Sequence, residues 1–251
     1  MLTIDRHEII LDILRDQETV SVRQICDATN ASESTVRRDL TELEKKQLIK
    51  RVHGGASLLK KKRDEPTILE KNTKFQREKK AISKKAVSFI EEGDSIYLDA
   101  GTTTMHMIPF LKNKQVVVVT NGIPHVQALI EHGIETYVIA GKAKSGTAAL
   151  TGTKAVKSIQ EFRFDKCFLG MNGIHPKQGL TTPDPEEANV KQAALQQAQS
   201  CHVLADPAKF GEVSFAEVAQ LHQATIITTD GVSEGQQAEI VKHTSLEVVP
   251  L

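Results

Sequence analysis

The run Ser32–Ala56, SESTVRRDLTELEKKQLIKRVHGGA, constrains this chain more than any other stretch. Ser32 reads as an N-cap, its hydroxyl accepting from the first orphan amides of a helix. Val36, Leu40 and Leu43 recur at i, i+4 and i+7, the apolar face of an amphipathic helix. Ser34, Thr35, Arg37, Arg38 and Thr41 are left on the other faces. Short hydroxyl side chains suit phosphate contacts, and arginines fork onto guanine O6 and N7. Leu48–Val52, with Lys50 and Arg51, alternates as a short strand, and His53-Gly54-Gly55 supplies a turn tolerant of positive φ. His53 either touches DNA or only caps that turn. VRRDL alone fits a solvated basic helix; helix plus basic hairpin is the layout of a winged helix-turn-helix.

Upstream, Arg6–Asp16 reads as a first helix, with Ile9, Ile10, Ile13 and Leu14 on one side. Ser21 caps a second, short helix carrying Val22, Ile25 and Cys26 inward, and Asn30-Ala31 turns into the reading helix. Three helices and a wing fill residues 1–57, a normal size for such a module. Charge supports the assignment. Residues 36–63 hold ten basic and three acidic side chains, whereas residues 1–35 hold three basic and seven acidic ones. A chain of zero net charge with one basic stripe fits a DNA-contact face with an acidic back.

Other classes are excluded by what is missing. No segment approaches the roughly 18–20 consecutive apolar residues of a membrane span, and MLTIDRHEII lacks the pattern of a signal peptide. A cytoplasmic protein is expected. Cys26, Cys167 and Cys201 are far apart and read as free buried thiols. The histidines show no HxxH or HExxH pairing, so no metal is expected, nor any other cofactor. GTAALTGTK at 146–154 misses the phosphate-binding P-loop by spacing and by the order of Lys and Thr, and no GxGxxG follows a strand.

Residues 58–73 are charged, carry Pro66 and lack periodicity, which predicts a linker. Lys60–Arg63 is either an extension of the wing toward phosphates or a solvated charge run. A helix is expected over about Lys74–Glu91, stopped by Gly93. Strand-length apolar runs follow at Ser95–Leu98, Val116–Val119, Thr136–Ile139, Lys166–Leu169, Ser200–Leu204 and Thr225–Thr228. Helical stretches lie between several of them, at Pro124–His132, Ala155–Glu161, Glu186–Gln199 and Phe215–Leu221. This alternation predicts an α/β domain over 74–251, a mostly parallel sheet covered on both faces.

Polar, glycine-containing segments follow five of the strands. The first, Asp99-Ala100-Gly101-Thr102-Thr103-Thr104, enters a helix, so that hydroxyls and helix-end amides form an anion cradle. Pro109 sits where it kinks or shortens that helix. The others are Thr120-Asn121-Gly122, Gly141, Gly170-Met171-Asn172-Gly173 and Asp206-Pro207-Ala208-Lys209-Phe210-Gly211. Such segments at one sheet edge make a pocket for a small polyhydroxy anion; turn chemistry alone accounts for any one of them.

RRDLTELEKKQLIKRVHGGA resembles the DeoR family of bacterial transcriptional regulators, whose N-terminal domains carry S-x-x-T-[VI]-R-R-D-L followed by R-V-H-G-G-A. The likeness covers nearly the whole chain. It implies an N-terminal winged helix-turn-helix with Arg37 and Arg38 on its reading helix. It also implies a C-terminal Rossmann-like sensor resembling ribose-5-phosphate isomerase and glucosamine-6-phosphate deaminase. On that resemblance, Gly101–Thr104 hold a sugar phosphate's phosphoryl group, Asp99, Asn121 and Lys209 surround the sugar, and Glu186 and Glu187 neighbour the pocket. Two departures stand out. Asn172 replaces the aspartate of the family's Gly-Ala-Asp-Gly, and an amide cannot serve as an isomerase's base. Gly141-Lys142 replaces a Gly-Gly pair, placing a cation near the ligand or in solvent.

The run NGI…GLTTPDPEEA most resembles the fructose-operon repressors, which implies fructose 1-phosphate as effector, with tagatose 6-phosphate, as in lactose-phosphotransferase repressors, next. The implied function is a repressor of a carbohydrate-utilisation operon that binds double-stranded operator DNA. One winged helix reads a half-site, so a homodimer or homotetramer is expected. The competing readings are a sugar-phosphate isomerase with an appended DNA-binding domain, and a sensor domain that only oligomerises.

Overall fold

The computed structural model describes residues 2–17, 19–52, 54–58 and 62–251. The chain divides into two compact units, Met1–Lys61 and Lys62–Leu251.

In the first unit, helix α1 (Thr3–Gln17), strand β1 (Thr19–Ser21), helices α2 (Val22–Thr29) and α3 (Glu33–Lys45), and strands β2 (Ile49–Val52) and β3 (Gly55–Leu58) follow in order. Each start has a local cause. Ser21 and Gln24 form a reciprocal capping box at α2, and the Ser32 hydroxyl accepts from the Thr35 amide at 3.3 Å at α3. Asn30, left-handed at φ 51°, turns one helix into the next. The sheet order β1-β3-β2 is antiparallel throughout. A Cβ on Gly55 would lie 2.1 Å from the Val20 carbonyl oxygen, so only glycine lets β3 pass β1. Ile10, Leu14, Val20, Ile25, Val36, Leu40 and Ile49 are fully buried in one core, each contributing on the order of 2 kcal/mol.

The expected linker over 58–73 is shorter in the structure. The second unit begins at Lys62 and includes helix α4 (Ile68–Thr73), whose Ile68 amide donates to the Gly146 carbonyl at 2.9 Å. Thr67 and Glu70 form the capping box at its start, a local signal the charged composition masked.

The second unit continues with α5 (Gln76–Val87), β4 (Ser95–Leu98), α6 (Thr102–Met105), α7 (Ile108–Leu111), β5 (Val117–Thr120), α8 (Ile123–Glu131), β6 (Glu135–Val138), β7 (Lys142–Ala143), β8 (Leu150–Thr151), α9 (Thr153–Gln160) and β9 (Phe164–Gly170). After these come β10 (Gly173–His175), β11 (Gly179–Thr182), α10 (Pro185–Gln196), β12 (Ala198–Leu204), β13 (Ala216–Ala219), β14 (Thr225–Thr229), α11 (Glu234–Ile240) and β15 (Leu246–Val249). Seven strands form a fully parallel sheet in the order β15-β14-β12-β9-β4-β5-β6. Tyr97, Leu169 and Val203 face one hydrophobic layer and Leu98, Phe168 and Leu204 the other, so both faces are covered.

The chain starts the sheet at β4, runs outward through β5 and β6, then returns to lay β9 on the other side of β4. The crevice between the carboxyl ends of β4 and β9 is therefore a topological switch point. Pro109, which lacks an amide hydrogen, lies in the first turn of α7, where that hydrogen has no acceptor within the helix.

Phe215–Leu221, expected as a helix, contains strand β13 instead. It pairs antiparallel with β11, and Val218 and Ala219 are buried against the core. Burial and pairing override the propensity of Ala and Glu. The β10-β11-β13 sheet and the edge strand β15 were not anticipated.

Candidate functional site

Helix α3 presents two faces. At 100° per residue, Ser34, Arg38, Thr41 and Lys45 fall within one sector opposite Val36, Asp39, Leu40 and Leu43, all four of which are buried. Arg37 borders that sector and is paired with Glu33 one turn earlier at 2.5 Å. Arg38 is exposed and has no ion pair among the described residues. Ser34 and Thr35 cluster with the Ser32 hydroxyl, at 3.0 and 2.9 Å.

Asp39, within the same RRDL run, serves the fold instead. Arg6 grips its carboxylate through two bonds, Nε–Oδ2 at 2.5 Å and Nη2–Oδ1 at 2.7 Å, tying α3 to α1. Burial opposes the Asp39 charge, but the Arg6 hydrogen bonds and charge outweigh it and hold its pKa below the usual value. Arg51 also looks inward along α3, donating to the Thr41 hydroxyl at 3.1 Å while its amide donates to Glu44 at 3.0 Å. Strand β2 is thereby held to α3, and Arg51 and Thr41 are committed to each other. Lys50 is exposed on β2, and Gly54, at φ +76°, forms the turn. His53, Lys60 and Lys61 lie outside the described residues.

In the second unit the loops after β4, β5 and β9 meet at the switch point. Asp99, buried at the end of β4, accepts from the Gly170 amide of β9 at 3.0 Å and from the Lys191 ammonium of α10. Burial disfavours the Lys191 charge, yet Asp99 and then Glu187 outweigh it and raise the lysine's pKa. Lys191 was not anticipated: it lies in an ordinary helical sequence, and only the fold sets it beside Asp99.

The loop from β4 into α6 is braced from both sides. Asn121, after β5, accepts from the Ala100 amide at 2.8 Å. The Ser83 hydroxyl of α5 donates to the Thr103 carbonyl at 2.6 Å. The Thr104 Oγ1 lies 2.6 Å from the Asp99 carbonyl oxygen, 2.7 Å from that of Gly101 and 3.1 Å from His125 Nε2. A hydroxyl has one proton to give and a carbonyl takes it, so His125 donates from Nε2. Burial accordingly lowers the His125 pKa to about 4. Its ring packs on Gly122, where a Cβ would lie 2.4 Å from Nδ1. Gly101 caps α6, and the first-turn amides of a helix have no acceptor within it.

Positive charge gathers on the far side of this loop. Lys79 of α5 is only 3% exposed and donates to the Lys71 carbonyl. Burial lowers its pKa; Asp206 opposes the fall, while Lys209 and Lys71 add to it. His106, just after α6, is lowered by burial and then by Lys79 and Lys80. Lys209 closes the short turn Pro207–Lys209, capped by Asp206. Sequence inspection missed Lys79 because a lysine-rich amphipathic helix gives no sign of which lysine is buried.

The remaining predicted residues divide. Asn172 accepts from the Thr182 hydroxyl at 3.0 Å through its amide oxygen. Gly141, at φ +147°, lies where a Cβ would meet the Thr151 carbonyl oxygen at 2.9 Å. Lys142 is exposed; Lys144, two residues on, makes the ion pairs, to Glu65 at 2.5 Å, Asp184 at 2.6 Å and Glu187 at 3.2 Å. Glu186 is exposed, whereas Glu187 turns inward and accepts from the Thr147 hydroxyl at 2.7 Å.

Comparison with known proteins agrees with this division of the chain. The DeoR-like helix-turn-helix domain matches residues 6–62, and the DeoR C terminal sensor domain matches residues 74–231. The HTH-type transcriptional regulator FruR of Bacillus subtilis, itself described as uncharacterized, is 52% identical over 92% of either chain. The HTH-type transcriptional regulator GlpR of Haloferax volcanii is 33% identical over 99% of this chain and 98% of its own. The lactose phosphotransferase system repressor of Staphylococcus epidermidis is 33% identical over 90% of this chain and 91% of its own. Among solved structures, D-ribose-5-phosphate isomerase in complex with phospho-erythronic acid aligns with a TM-score of 0.41 and 21% identity over 53% of either chain, too distant to bear on the site. No helix among the described residues is long and apolar enough to cross a membrane. With a matching domain at either end and full-length relatives at this identity, the chain belongs to the DeoR family of DNA-binding transcriptional regulators.

Proposed function

We propose that the chain is a repressor of a carbohydrate-utilisation operon whose second unit binds a phosphorylated sugar at the β4–β9 switch point. The observation that supports this reading is the buried Asp99–Lys191 pair at that crevice, beside the start of α6, with the buried Lys79 on the far side of the same loop. The phosphoryl group takes the first-turn amides and hydroxyls of Thr102 and Thr103, with Lys79 and Lys209 supplying charge. Burial first, and then Lys209 and Lys71, lower the Lys79 pKa, and a bound anion offsets that penalty. The sugar hydroxyls face Asp99, Asn121, Asn172 and Glu187. Fructose 1-phosphate is the favoured effector and tagatose 6-phosphate the next, on the likeness of the Asn172–Ala188 run, NGI…GLTTPDPEEA, to fructose-operon repressors.

In the first unit, α3 enters the major groove of operator DNA, with Ser34 and Arg38 central to the contact and Arg37 released from Glu33 onto a base or phosphate. Ser32, Thr35, Lys50 and Gly54 line the phosphate backbone. Two copies are needed to read a two-fold operator, which supports a homodimer or homotetramer.

The test is thermal denaturation of the full chain with fructose 1-phosphate, fructose 6-phosphate, tagatose 6-phosphate, ribose 5-phosphate and inorganic phosphate. A ligand that binds only the folded state raises the melting temperature. A selective rise with one sugar phosphate supports the pocket and names the effector. Silence across the panel removes the sensor reading and leaves the DNA-binding one standing.

A further inference from the structure

The start of the second unit is laid down as a strap. The Lys62 carbonyl accepts from the Phe215 amide at 3.0 Å, and the Arg63 guanidinium sits 5.3 Å above the Phe215 ring. The Ile68 amide is bonded to Gly146. Between these anchors Glu65 reaches inward, with its side chain 12% exposed, and takes Lys144 with one oxygen and Lys71, at 3.1 Å, with the other.

Lys144 is a junction. An ammonium has three protons, and three carboxylates surround this one: Glu65 from the strap, Asp184 from the cap of α10, and Glu187 from its first turn. Burial disfavours its charge, but hydrogen bonds to Asp184 and Glu65 outweigh that and raise its pKa. Glu187 belongs to the pocket wall, one helical turn from Lys191, which holds Asp99. A second route joins the same parts. Lys144 and Gly146 lie in the turn between β7 and β8; β8 is bonded to Asn121 through the Leu150 amide at 2.7 Å, and Asn121 holds the Ala100 amide.

We propose that Lys144 is the positioning residue through which effector binding is relayed to the strap leading from the DNA-binding unit. This rests on the pocket reading above. A sugar hydroxyl that donates to Glu187 disperses the charge of that carboxylate, which already accepts from the Thr147 hydroxyl, and weakens its hold on Lys144. The ammonium then leans toward Glu65 and Asp184, and the strap is held more tightly. The signal is a shift of one ammonium among three carboxylates, and it acts only because the ligand-bound and ligand-free arrangements hold Glu65 differently.

The experiment is hydrogen exchange of the full chain, wild type and Glu65→Gln, with and without saturating fructose 1-phosphate, alongside the thermal shift. Glu65→Gln keeps the side chain's shape and leaves Lys144 two carboxylates, so the fold is retained. In the wild type the ligand slows exchange at the Ile68–Thr73 amides by at least threefold. In Glu65→Gln those amides exchange faster without ligand, and the ligand, still raising the melting temperature, no longer slows them. A wild-type protein that shows the thermal shift but unchanged or faster exchange at Ile68–Thr73 overturns the relay and leaves the pocket intact, as does a Glu65→Gln protein that responds like wild type. No thermal shift with any sugar phosphate of the panel overturns the pocket, and the relay with it.

Discussion

Lys191 and Asp99, 92 positions apart in the chain, form an ion pair that is closed to solvent and shares its carboxylate with the Gly170 amide. The pair therefore ties β4 to both β9 and α10, and it stands at the floor of the crevice where the order of the strands reverses.

Removing one partner leaves an uncompensated buried charge. Asp99→Ala is expected to lower the unfolding free energy by about 3–5 kcal/mol, read by urea denaturation. Lys191→Met combined with Asp99→Ala loses less than the sum of the single changes, because the partners act as a unit. Additive losses refute the coupling.

Lys79→Met has an effect of opposite sign. The methionine fills a similar space without a desolvated charge, so the ligand-free melting temperature holds or rises. The thermal shift produced by fructose 1-phosphate is lost. A retained shift places the phosphoryl group away from α5.

On the DNA side, Arg38→Ala is expected to weaken operator binding roughly 5- to 150-fold, the equivalent of about 1–3 kcal/mol for a forked base contact. The residue is exposed, so the circular dichroism spectrum and the sugar-phosphate response stay as in the wild type. Unchanged gel-shift affinity in both Arg37→Ala and Arg38→Ala removes α3 as the reading helix. Asp39→Asn serves as the contrast, because it breaks the buried Arg6 fork and destabilises the first unit itself.

Acid acts through the buried histidines. His125 has a folded pKa of about 4 against an ordinary 6.5, and burial lowers His202, stacked between Phe89 and Phe168, likewise to about 4. Above pH 6.5 both rings are neutral whether the chain is folded or not. Between pH 6.5 and 4 only the unfolded chain takes up the proton, so stability falls as pH falls through that window. For His125 the loss is at most about 3 kcal/mol. A melting temperature that does not drop between pH 7 and 4.5, or an undiminished drop in His125→Gln/His202→Gln, contradicts this account.

Much of the architecture was legible from residue order because its causes are local. Val36, Leu40 and Leu43 select one helix face, Ser32 starts that helix, and Arg38 is left on the other side; all of this follows from a period of 3.6 residues and a capping hydroxyl. The alternation of apolar runs with helical ones likewise announces a parallel sheet, and six of its seven strands were located to within two residues. Where the chain misled, a longer-range force had won. Phe215–Leu221 has helical composition, but pairing with β11 makes Ala216–Ala219 a strand.

The proposed pocket shows the same divide. The glycine and hydroxyl loops after β4, β5, β9 and β12 were visible because a chain leaving a strand for a tight turn needs those residue types. Which charges meet there was not. Lys79, Lys144 and Lys191 are three lysines among many, and Glu187 differs from Glu186 only by the rotation of one residue along α10. Residue order determined the two units, the amphipathic helix α3 and the edge of the sheet at which the polar loops gather, since those rest on spacing and on backbone chemistry. Tertiary structure alone decided that Asp99 takes Lys191 and that Glu65 shares Lys144 with Glu187. Burial makes a charge costly unless an opposite one is brought to it, and those partners lie 79 to 92 positions away for Glu65 and Asp99.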